Sequence, residues 1–137
     1  MFLSNFLSNF TLSRANAFIW DSRIKNLKII LNFNCLDLDL LVGIERQKKT
    51  IFNNTKNFAE GNFTNNALLW GSRGNGKSSL IKSVFYEINK KNKNLKLIQL
   101  NKNNIFDIEV IYEKYANLKN YNFIIFIDDL SFEKIDS

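Results

Sequence analysis

Eight consecutive residues, Gly71-Ser72-Arg73-Gly74-Asn75-Gly76-Lys77-Ser78, follow the apolar stretch Ala67-Leu68-Leu69-Trp70 and satisfy the pattern G-x-x-x-x-G-K-[ST]. Each position answers to phosphate chemistry. Glycines let the backbone fold back and aim successive N–H groups at a β-phosphate, and the N-terminus of a following helix adds its partial positive charge. In this reading Lys77 reaches the β- and γ-phosphates, Ser78 offers its hydroxyl to Mg²⁺, and Ser79 follows in the first helical turn. A glycine-rich turn without function is the competing reading. The chain holds only five glycines, however, and three of them fall inside these eight residues.

A second group stands about fifty residues further on, where Phe123-Ile124-Ile125-Phe126-Ile127 runs into Asp128 and Asp129. A hydrophobic strand ending in Asp is the Walker B arrangement, so Asp128 is expected to hold Mg²⁺ opposite Ser78. Asp129 occupies the place where hydrolysing enzymes of this kind commonly carry a Glu that orients the attacking water. Its side chain is one methylene shorter, and a misplacement of about 1 Å can cost about 100-fold in rate. Two roles therefore stand open for Asp129, catalytic base or turn-stabilising carboxylate, with Glu133 as a candidate helper. Asn101-Lys102-Asn103-Asn104 begins like the guanine-reading N-K-x-D motif but lacks its carboxylate and precedes Asp128, so ATP is expected rather than GTP.

Positioning these groups requires alternating strands and helices. The phosphate loop needs a strand over 67–70 and a helix over about 77–89, where Leu80, Ile81, Val84, Phe85 and Ile88 recur at helical spacing. Before it, Ile51, Phe52, Thr55 and Phe58 mark one face of an amphipathic helix that begins near Leu40–Ile44 and ends near Gly61. After it come a short strand, Leu97–Leu100, and a helix face carrying Ile108, Ile111, Tyr112, Tyr115 and Leu118. The run 123–127 reads as a strand buried on both faces. Leu27–Leu31 reads as a strand, and residues 1–26 show no clear periodicity. The expected class is α/β, a parallel sheet flanked by helices.

The 137 residues, 45% apolar, suffice for one domain with a real core. The absence of His excludes histidine-based acid–base chemistry and histidine metal ligation, and the single cysteine, Cys35, cannot form an internal disulfide. The N-terminal segment lacks the basic n-region of a secretory signal, and no run approaches the roughly 18 apolar residues of a spanning helix. A cytoplasmic protein is the default expectation. The net charge of +6 raises nucleic acid as a partner, but the lysines are dispersed among many Asn, Ile and Phe residues. Their densest cluster, Lys90-Lys91-Asn92-Lys93, falls where a helix should end and reads more readily as a solvated terminus that complements the helix dipole.

Three segments, Gly43-Ile44-Glu45-Arg46-Gln47-Lys48, Asn65 through Leu80, and Phe126 through Glu133, together resemble an uncharacterised family of bacterial predicted ATPases in the AAA+ superfamily. The likeness spans roughly residues 17–133. It implies an AAA+ fold, ATP and Mg²⁺ as ligands, Gly43 and Ile44 near the adenine, and an unknown protein substrate or partner, with a homo-oligomer as the assembly to test. The segment 127–130 also looks like the Walker B of bacterial replication initiators and helicase loaders. Residues 1–42 are expected to form an N-terminal extension, and 43–137 the first part of the ATP-binding domain.

The AAA+ pattern continues past Walker B with a sensor-1 strand, an arginine finger and usually a lid, none of which can be assigned before Ser137. The expectation is a C-terminally truncated piece of a longer ATPase, inactive alone, with a gap one strand wide between the two halves of its site. The complete protein is then expected to hydrolyse ATP. The rival expectation is a nucleotide-dependent switch, loader or adaptor that binds ATP with little turnover. A small-molecule kinase is disfavoured, because no acceptor site is visible.

Overall fold

The computed structural model of the chain describes residues 10–31, 43–61, 67–71, 77–115 and 118–128. Its centre is the strand β5, Asn122–Asp128, in which aromatic and β-branched residues alternate between two buried faces. Phe123 and Ile125 enter one core layer, Ile124 and Phe126 the other. The neighbouring β4, Leu95–Asn101, divides in the same way, with Leu95 and Leu97 on one face and Ile98 and Leu100 on the other. Such double burial requires cover on both sides of the sheet.

Five strands form that sheet, in the order β2-β1-β4-β5-β3. β1 (Ala17–Asp21) and β2 (Asn26–Ile29) are an antiparallel hairpin with Trp20 opposite Leu27, and β1 runs parallel to β4. Residues 17–26, where the sequence pattern gave no element, thus supply a strand and the turn after it. Phe18 and Trp20 point into the core while Asp21 stays at the surface end. β3 (Ala67–Gly71) lies at the opposite edge and, among the described residues, pairs with β5 alone, in parallel.

The direct pairing of β3 with β5 corrects the expected gap. Ala67 through Gly71 stand level with Phe123 through Ile127, and no strand lies between them. The physical reason is hydrogen bonding, since two separated inner ladders would leave rows of buried N–H and C=O groups unmatched, and closing them on each other satisfies both.

On one face lie α1 (Glu45–Ala59) and α2 (Lys77–Asn89), packed against each other. From α1 the buried residues are Ile51, Thr55 and Phe58, spaced four and three apart. Phe52 lies partly buried beside them. α1 starts at Glu45, just after Gly43 at φ 83, and stops at Gly61, whose φ of 80 is the left-handed conformation that ends helices. The Glu60 and Gly61 N–H groups donate to the carbonyls of Lys56 and Phe58. α2 contributes Leu80, Ile81, Val84, Phe85 and Ile88.

The other face is covered by a 3₁₀ helix, Lys102–Asp107, by α3 (Ile108–Tyr115) and by the helical residues 10–13, with Leu12, Ile111, Tyr115 and Leu118 in its core. Three layers result, two of helix around one of sheet. No helix among the described residues is long and apolar enough to cross a membrane.

Candidate functional site at the carboxyl edge of the sheet

β3, β4 and β5 are mutually parallel, so their carboxyl ends share one edge. β3 ends at that edge with Gly71, and α2 begins at Lys77. The first turn of α2 contains no acidic residue to offset its partial positive charge. One strand spacing away, ~4.8 Å, β5 ends at Asp128, one residue beyond the partner of Gly71.

Asp128 is 8% exposed. Alternation along β5 places it on the side of Ile124 and Phe126, the face that carries α2. Its Oδ2 accepts a hydrogen bond of 3.2 Å from Gln99 Nε2 on β4. In the register Gln99 stands opposite Phe126 and Asn101 opposite Asp128, so the bond runs diagonally between side chains on one face. Asn101 itself turns to the next element, where its side-chain oxygen caps the 3₁₀ helix by accepting from the Asn103 N–H at 2.8 Å.

A further residue adjoins this edge. Trp70 precedes Gly71 on the face of α1 and α2, and its indole nitrogen is buried without a hydrogen-bond partner. Ile44, at the start of α1, packs against the same core cluster. Gly43, Ile44, Gly71 and Asp128 are therefore placed by the structure, Lys77, Ser78 and Ser79 form the first turn of α2, and Ser72, Arg73, Gly74, Asn75, Gly76 and Asp129 lie outside the described residues. Gln99 was not singled out by sequence reasoning. A visible signal existed, for it is a polar residue within Leu97-Ile98-Gln99-Leu100, a strand whose apolar members are all buried.

Several charged groups away from this edge are tied up in structure. Asp107 accepts from Lys25 Nζ at 2.8 Å and from the Trp20 indole at 3.0 Å, and these two donors, Lys25 first, hold its carboxyl below the usual range. Lys28 and Arg23 hold Asp21 well below it. Lys96 is 5% exposed and donates to the Ala15 carbonyl at 2.7 Å and to Asn16 Oδ1. Burial lowers its pKa from 10.5, helped by nearby Lys93. Among the described residues no group of three or more His, Cys, Asp or Glu is placed to cage a metal ion.

The fold and the site define an α/β protein with converging groups at the carboxyl edge of a mostly parallel sheet, the region where ligands bind in open sheets of this kind. The chain belongs to the family described as protein of unknown function DUF815, whose model matches residues 13–137. No curated protein and no solved structure matches it significantly.

Proposed function

We propose that this chain binds ATP with Mg²⁺ at the carboxyl edge of β3 and β5, as an AAA+-type P-loop ATPase. The observation that carries the reading is the pairing of β3 with β5. The strand ending at Gly71 lies beside the strand ending in Asp128, and α2 opens at Lys77. Backbone N–H groups of the loop and the α2 N-terminus hold the phosphates, and Lys77 compensates their charge.

The donor set suits magnesium. Mg²⁺ prefers oxygen, keeps several waters, and is usually held by one or two carboxylates together with substrate phosphates rather than by an all-protein cage. Asp128 and the Ser78 hydroxyl are such donors, and the ion would neutralise charge on the phosphates during transfer. Gly43 and Ile44 would flank the base. Because β3 pairs directly with β5, the proposal does not depend on an intervening strand.

Nucleotide affinity of the chain and of Lys77→Ala tests the site. A charge-assisted contact is worth about 1.5–3 kcal/mol, so the variant should bind roughly 10–100-fold more weakly; equal affinities would reject the assignment. Turnover is decided at Asp129. ATPase activity abolished by Asp129→Asn supports the hydrolase, whereas tight ATP binding with no activity in either form supports the switch or loader reading.

A further inference from the structure

We infer that Gln99 is a positioning residue for the Asp128 carboxylate and thereby sets how tightly the site takes a divalent cation; the inference rests on the proposed nucleotide site. A carboxylate offers four lone-pair directions on two oxygens. The Gln99 amide occupies one direction on Oδ2 at 3.2 Å and so takes part in orienting the carboxylate. The donor is neutral. It stabilises the ionised carboxylate without cancelling its charge, whereas a lysine at the same place would compete with the cation directly.

The surroundings make this bond more than a surface contact. Asp128 is 8% exposed, the strands carrying both residues are central in the sheet, and their register is fixed by seven paired positions from Leu95–Asn122 to Asn101–Asp128. Position 99 thus stands at a set distance from position 128. Groups that orient a metal-binding carboxylate from behind typically influence affinity by about 10–100-fold when removed.

The test measures ATP binding as Mg²⁺ is raised from zero, at one fixed pH, for the unaltered chain, Gln99→Leu and Gln99→Asn. Gln99→Leu should bind metal-free ATP as the parent does and need about 10–100-fold more Mg²⁺ for half of the metal-dependent gain. Gln99→Asn keeps an amide donor but is one methylene shorter, too short for the diagonal reach to Asp128, so its Mg²⁺ requirement should rise as well. Should Gln99→Leu fail to fold by circular dichroism, Gln99→Asn decides.

Wild-type Mg²⁺ dependence in both variants overturns the role of Gln99, even where Lys77→Ala confirms the nucleotide site. Absence of Mg²⁺-dependent ATP binding in the unaltered chain removes the site reading, and the inference with it.

Discussion

Asp128 combines low exposure with a negative charge at the edge where α2 begins, and replacing it separates those two properties. Asp128→Asn keeps the size and one acceptor oxygen for Gln99, so unfolding stability should change by about 1 kcal/mol. The Mg²⁺-dependent part of ATP binding should vanish, as read by calorimetry with and without the metal. On the far face, Asp107 carries the acid sensitivity of the hairpin. Lys25 and Trp20 hold its folded pKa below the ordinary 3.8, so the stabilisation is complete above that value and is lost as pH falls through the folded value. Asp107→Asn should flatten the acid limb of a melting-temperature profile by lowering the plateau above pH 3.8, with little change at the acid end where the carboxyl is already protonated. Asp21 acts in the same direction, so the limb should shrink rather than disappear.

Helix α1 and strand β4 each rest on one residue whose replacement isolates a backbone or burial effect. Gly61 lies at φ 80 with open space where a Cβ would project. Gly61→Ala therefore meets no clash, and its expected cost of about 1–2 kcal/mol, read from urea unfolding, is conformational alone. Lys96, on β4, is buried among acceptors without gaining a carboxylate partner in the described set. Its folded pKa lies below 10.5, so the unfolded chain binds more protons between the two values and stability rises with pH across that window. Lys96→Met should remove the rise.

Periodicity exposed the helices because their buried positions recur at three and four, as Ile51, Thr55 and Phe58 do. It missed β1 because Ala17–Asp21 is short and its partners, β2 and β4, lie 5 and 74 residues further on, counted from the end of β1 to the start of each. A strand of this kind owes its place to distant pairing, which a local pattern does not carry.

Across the molecule, the strand order grades protection. β4 and β5 have a neighbour on each side and cores on both faces, whereas β2 and β3 form the edges and Leu69 of β3 is 45% exposed. Amide hydrogen exchange should accordingly be slowest in 95–100 and 123–127, and faster in 26–29 and 67–71. The same order explains why only part of the candidate site could be read from sequence. Gly71, Lys77 and Asp128 announce themselves by spacing, but whether their strands touch is a matter of topology, and the diagonal reach from Gln99 follows only from the register.

The two tryptophans stand in contrasting electronic surroundings. Trp20 donates to Asp107 and has the Lys114 ammonium 5.6 Å from its ring centre, whereas the Trp70 indole N–H is buried without an acceptor. With Trp20→Phe the chain becomes a single-tryptophan protein whose tryptophan emission arises next to Gly71. Light absorbed by Trp70 then reports from inside the proposed nucleotide site, while Trp70→Phe leaves a probe of hairpin docking on the other side of the sheet.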